Sequence, residues 1–309
     1  MESKMSYQEF QERLCQEVQR ELNQQGTYHC EVMQNQKNNA ILWGLSVRKE
    51  DSSMAAVIYL DKPYQSYLRG KPLEEISREL ISAYQDQKIP QIDETFFMDY
   101  ETVKDRIQVR LVSREKNQAY YRRGPYKMHP MGAEVLFIEL QSGREGTMQA
   151  QVTNKMAEQW KIPKSVLFQK ALENTQSRNK AVFSAMGDVI AELIMEEGAE
   201  VPQTEGVSPM YVLSNEKREY GATVLLYPDV LKAVRKRLGE DFYILPSSIH
   251  ESIILPKGLV MMDVKELRDV VREINQNEVR PEEVLGNEVY EYRGAANRVR
   301  KCSKEDRER

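Results

Sequence analysis

Tyr7, Phe10, Leu14, Val18 and Leu22 recur at spacings of three and four residues, so the first segment carries one apolar helical stripe. Ser6 stands at its start with Glu9 three residues on, the pattern of a capping box. Three strands are predicted next, over Tyr28–Met33, Ile41–Val47 and Met54–Leu60, separated by turns at Lys37-Asn38-Asn39 and Glu50-Asp51-Ser52. Pro72 opens a second helix with Leu73, Ile76, Leu80 and Tyr84 on one face. This first unit is expected to end near residue 90.

The pattern is less regular from 91 to 197. It predicts a helix over Thr95–Arg106, a strand over Ile107–Val112 and a hairpin of Val135–Leu140 with Met148–Val152. Helices are predicted over Asn154–Trp160, Pro163–Asn174 and Lys180–Glu197, the last with Val182, Met186, Val189, Ile190 and Leu193 facing inward. Residues 198–209, GAEVPQTEGVSP, have no period and are rich in Gly, Pro and small polar residues, which marks a linker. Strands are then predicted at Met210–Leu213, Ala222–Tyr227, Tyr243–Leu245, Ser252–Leu255 and Val289–Tyr292. Helices are predicted over Pro228–Leu238 and after Asp263, where Glu266 completes a capping box ahead of Val264, Leu267, Val270, Val271 and Ile274. The whole reads as α+β, with antiparallel sheets and helices packed on one face of each. Residues 294–309 are so charged that a frayed tail is expected beyond a C-terminal domain of residues 210–293.

With 309 residues the chain has room for about two domains at the common size of ~100–200 residues. A net charge of −4 and a pI near 5.7 argue against a dedicated duplex-DNA binder. The cysteines, Cys15, Cys30 and Cys302, are odd in number and far apart, which fits neither a disulfide framework nor a zinc site. The N-terminus has no apolar leader core and no run is long enough for a membrane span, so the expectation is a cytoplasmic protein without a membrane partner. His29, His129 and His250 are isolated, and neither a GxGxxG nor a Walker loop occurs. Neither a metal nor a cofactor is expected.

Two constellations carry chemistry. In Ser247-Ser248-Ile249-His250-Glu251, between two short strands, one reading makes His250 a general base oriented by Glu251 or a distant acid, with Ser247 or Ser248 as nucleophile. No GxSxG elbow accompanies them, and the alternative is a connection shaped by Pro246 and local hydroxyl hydrogen bonds, with His250 tying the loop to a neighbour. In Tyr120-Tyr121-Arg122-Arg123-Gly124-Pro125-Tyr126-Lys127, rings alternate with cations, as single-stranded nucleic acid binding requires. The alternative there is a loop whose tyrosines pack down while its cations stay solvated.

The runs MYVLSNEKREYGATVLLYPDVL, YILPSSIHESIILP and NQNEVRPEEVLGNEVYEY, with VTNKMAEQWKIPKSVLFQKALENT earlier, resemble a family of uncharacterised proteins of anaerobic Gram-positive bacteria, filed as a domain of unknown function. The resemblance covers roughly residues 5–293. It departs at NQAYYRRGPYKMHPMGAE, where the family has a leucine-rich, Asp-containing segment. It implies a bacterial, cytoplasmic protein and carries over no catalytic residue. The leading expectation is a non-enzymatic binding or regulatory module, open to a protein partner, that presents Pro246–Glu251 as its recognition surface. A Ser/His hydrolase and a weak single-stranded nucleic acid binder are the alternatives.

Overall fold

The computed structural model describes residues 4–52, 55–86, 92, 94–115, 117–143, 146–196, 210–246 and 248–303. They fall into two compact units, Met1–Asp99 and Tyr100–Arg309. The expected 198–209 linker lies outside the described residues.

In the first unit, α1 (Tyr7–Leu22) begins where Ser6 Oγ accepts the Glu9 N–H at 3.2 Å. The Glu9 carboxylate turns to Arg13, 3.0 Å away. Strands β1 (Tyr28–Gln36), β2 (Ile41–Lys49) and β3 (Ala56–Tyr59) form an antiparallel meander. A helix that the pattern did not predict, α2 (Asp61–Leu68), follows. Its Pro63 sits in the first turn, where a missing N–H costs little, and Tyr64 and Tyr67 pack on Phe10 with ring centroids 5.1 and 5.4 Å apart. Then come α3 (Leu73–Asp86) and α4 (Glu94–Met98). Phe10, Leu14, Val18 and Leu22 of α1 meet Leu45 and Val47 of β2 and Ile76 and Ile81 of α3 in one core.

The second unit contains α5 (Tyr100–Val103), β4 (Ile107–Val112), α6 (Gln118–Tyr121), β5 (Tyr126–His129), β6 (Gly132–Gly143), β7 (Gly146–Gln151), α7 (Asn154–Trp160), α8 (Lys164–Arg178), β8 (Ala181–Ala185) and α9 (Met186–Glu196). It continues with β9 (Tyr211–Asn215), α10 (Val230–Leu238), β10 (Phe242–Leu245), β11 (Ser252–Pro256), α11 (Val264–Asn277), β12 (Tyr290–Arg293) and β13 (Arg298–Lys301). The expected 95–106 helix is broken at Asp99 into α4, α5 and a short 3-10 turn. Strands β4, β6 and β5 pair in that order, with β7 joined to β6; a second sheet runs β13-β12-β10-β11-β9-β8. Every ladder is antiparallel, and the fold is α+β.

Helices lie on both faces of the six-stranded sheet, not on one. Phe242, Ile244 and Ile254 point to Leu231 and Val234 of α10, whereas Leu245 and Leu255 point to Val264, Leu267 and Val271 of α11. The alternation of side chains along β10 and β11 makes these opposite faces. Asp263 and Glu266 close a full capping box, with hydrogen bonds of 2.7 and 2.8 Å. Val270 and Ile274, expected inward, are exposed.

Three segments differ from the pattern, two of them because long-range pairing overrides a local period. Residues 181–185 look like the start of a helix, but Phe183 pairs with Leu213 across β8 and β9, leaving Val182 and Ile190 exposed. The 222–227 run is a 3-10 helix, Gly221–Leu226, buried on all sides, and a run buried all round does not reveal its period. Residues 298–301, expected as frayed tail, pair with β12, and Cys302 beyond them is 1% exposed.

Candidate functional site

β4 is an edge strand whose free N–H groups are taken by side chains. Val109 N–H donates to Thr175 Oγ1 of α8 at 2.9 Å, and Leu111 N–H to Thr223 Oγ1 at 3.2 Å. This closes the edge to further pairing. It also brings α8, the 3-10 helix and the β9 turn over residues 108–110, around a narrow, partly open polar recess.

Arg110 reaches into that recess from β4. It is 8% exposed. Its guanidinium carbon lies 3.5 Å from the Tyr220 ring centroid and 4.7 Å from that of Phe137, a cation held between two aromatic faces. Among the described residues it donates no hydrogen bond and forms no ion pair. Burial pushes its pKa below the usual arginine value, opposed by Tyr220, Tyr120, Glu219 and Glu139 nearby. The polar residues around it are engaged with one another. Arg178 Nη1 donates to Glu139 Oε1 at 2.9 Å, Gln108 donates to the other oxygen of Glu139, and Asn179 donates to Gln108 Oε1 at 3.1 Å.

Tyr220 links the recess to the loop singled out in the sequence. Its backbone is left-handed (φ 50°, ψ 31°), a costly conformation for a large side chain. Asn215 folds the turn before it, accepting from the N–H groups of Lys217 and Glu219 at 3.1 and 3.3 Å. The Tyr220 N–H donates to His250 Nδ1 at 3.2 Å, and the two rings lie 5.5 Å apart. The next residue must be glycine, since a Cβ at Gly221 would stand 2.0 Å from Ser214 Oγ and 2.3 Å from His250 O.

Within the loop, Ser248 Oγ accepts the His250 backbone N–H at 3.0 Å, Ser214 Oγ donates to His250 O at 2.7 Å, and His250 Nε2 stands 3.9 Å from Glu283 Oε1. Ser248 bridges to Val284, and Ile249 N–H donates to Glu283 O at 2.7 Å. Glu251 is half-buried, and Ser247 lies outside the described residues. The structure thus joins Ser248 to the backbone of His250 and joins the imidazole to Tyr220.

The second constellation forms part of the β4-β6-β5 layer. Tyr120 and Tyr121 are buried against Val112, Val135 and Phe137, and the Tyr126 ring lies 4.9 Å from that of Tyr121. Gly124 lets the chain pass close to Val152, whose carbonyl oxygen would be 1.8 Å from a Cβ. Arg122 and Arg123 are exposed, and Lys127 covers the Phe168 ring at 4.5 Å. The two buried rings are occupied by the core and are not presented to stack on bases.

Among the described residues, no group of three or more His, Cys, Asp or Glu side chains is placed to hold a metal ion, and no helix is long and apolar enough to cross a membrane. Neither Cys15, Cys30 nor Cys302 is in a disulfide, and burial pushes the Cys30 thiol up to about 12. Sequence reasoning passed over Arg110. Its signal is faint: Gln108 and Arg110 alternate with apolar neighbours in IQVRLV, as on any half-exposed strand, yet every residue of β4 is buried.

These features define an α+β protein with a cation-anchored polar recess buttressed by a hydrogen-bonded loop. The chain belongs to the family of unknown function DUF5688, whose model matches residues 7–294. No curated protein and no solved structure matches it.

Proposed function

We propose that this protein is a non-enzymatic binding or regulatory module whose recognition surface lies where the Pro246–Glu251 loop supports the Tyr220 turn. The hydrogen bond from Tyr220 N–H to His250 Nδ1 carries this reading. A general base needs a free lone pair within reach of a nucleophile. Here Nδ1 is taken by a backbone donor, Nε2 faces Glu283, and Ser248 Oγ receives the backbone N–H of His250 instead of donating to its ring. The imidazole acts as a strut that holds Tyr220 over Arg110. A cytoplasmic setting belongs to this reading, supported by three thiols outside any disulfide.

The test is His250→Ala. Leaving the Tyr220 N–H without its acceptor is expected to lower stability by about 1–3 kcal/mol in urea unfolding. Wild type and variant are both expected to leave chromogenic carboxylic and phosphoric esters intact. Turnover by the wild type that disappears in a folded His250→Ala protein would establish a hydrolase and end the binding-module reading.

A further inference from the structure

We propose that the recess beside β4 is a receptor for a small carboxylate ligand, with Arg110 as its anchor. This rests on the binding-module reading above and names the ligand class.

An arginine stays ionised throughout the physiological range, so its burial is tolerated only where something compensates the charge. Arg110 is 8% exposed, yet among the described residues no carboxylate, carbonyl or hydroxyl accepts from it. Its nitrogens keep access to the recess, since none is fully sealed from solvent. Tyr220 and Phe137 cover the guanidinium, with ring centroids 3.5 and 4.7 Å from its central carbon. What such packing leaves open is the N–H edge, the fork that matches the two oxygens of a carboxylate.

The surroundings select among anions. Glu139 and Glu219 line the same recess, and Glu139 is already paired with Arg178. Lys217 lines it too, on the exposed turn after β9. Like-charge repulsion from two carboxylates disfavours a phosphate dianion more than a singly charged, planar carboxylate. The strut supplies orientation. Tyr220, held left-handed by His250, fixes one wall of the slot against which the guanidinium lies flat.

The full-length protein would be titrated with propionate, with its neutral isostere propionamide and with inorganic phosphate. The readouts are thermal unfolding and the NMR signal of the Arg110 Nε–H. The proposal expects a saturable shift with propionate, and at least tenfold weaker responses to propionamide and to phosphate. It also expects at least tenfold weaker propionate binding in Arg110→Met, with Arg110→Lys weakened because a point charge lacks the fork. Equal responses to propionate and propionamide in the wild type would overturn the proposal without reliance on any variant, as would an Arg110-dependent preference for phosphate. Unchanged propionate binding in a folded Arg110→Met protein would overturn it too. Propionamide binding at the recess would still leave the binding-module reading standing. His250-dependent ester turnover would remove that reading whatever propionate does.

Discussion

Two buried arginines of the second unit, Arg110 and Arg268, are equally hidden and oppositely treated. Arg268 on α11 is 7% exposed, with Nη2 donating to Cys302 O at 3.2 Å and Nε 2.8 Å from Glu288 Oε2 in an ion pair whose angle does not make a hydrogen bond. Lys301 adds a second cation to Glu288 at 3.2 Å. Glu291 nearby is treated likewise. Burial pushes its carboxyl up, but the hydrogen bond from Arg293 and the charges of Lys257 and Arg300 outweigh this and hold it below the usual carboxylate range. The α11 side of the sheet therefore sets its buried charges against opposite charges. Arg110 has aromatic faces and, among the described residues, no acceptor. The contrast teaches that burial alone does not distinguish a structural cation from a receptive one; what distinguishes them is whether a carboxylate stands in contact with the guanidinium, as Glu288 does at Arg268.

The largest expected effect comes from breaking the closed side. Glu288→Ala leaves Arg268 buried without its carboxylate and should lower stability by about 3–5 kcal/mol in denaturant unfolding. A loss below about 1 kcal/mol would mean that Arg268 is no better satisfied than Arg110 and would dissolve the comparison.

An intermediate effect comes from His129, a half-buried ionisable group that escapes the cost by staying neutral. Burial lowers its pKa from 6.5 to about 4, and its Nδ1 accepts the Met131 N–H at 3.3 Å. The unfolded chain therefore binds the proton more readily than the folded one. The stabilisation is complete above pH 6.5 and is lost as the pH falls towards 4, by roughly 2–3 kcal/mol at most. Comparing unfolding midpoints of wild type and His129→Gln across pH 4–7 checks this, because the variant should lack that part of the pH dependence. Arginine has no such escape, so Arg110 stays charged beside the two aromatic rings and the carboxylates of Glu139 and Glu219.

The smallest expected effect is that of Arg110→Met. Removing a charge that forms no ion pair among the described residues also removes its desolvation cost, which offsets the lost cation–π contacts, so stability should change by no more than about 1 kcal/mol either way. A loss as large as that of Glu288→Ala would make Arg110 a structural residue.

Elements with strong local signals were legible in the sequence. The Ser6 start and stripe of α1, the Asp263–Glu266 box of α11 and the β10–β11 hairpin all stand where the pattern puts them. The loop around His250 was legible as a gathering of polar groups, and so was the possibility that His250 ties it to a neighbour. The identity of that neighbour was not: Tyr220 is 30 residues away, and nothing local links it to an imidazole. Tyr120 and Tyr121 resembled a stacking platform because a Tyr-Arg alternation looks the same whether the rings face solvent or β6. α2 escaped notice because its packing rings belong to tyrosines in an otherwise polar run.

By itself the sequence determined which segments could be helices or strands, that the class is α+β, and which side chains could do chemistry. Those properties depend on spacing along the chain. The tertiary structure decided which charges are left without partners, because that depends on what distant segments bring to the same place. Glu288 and Cys302 come to Arg268, while the side chains beside Arg110 satisfy one another and leave its N–H edge open. The recess exists because Thr175 and Thr223, from two separate helices, close the edge of β4 above a strand buried on both faces.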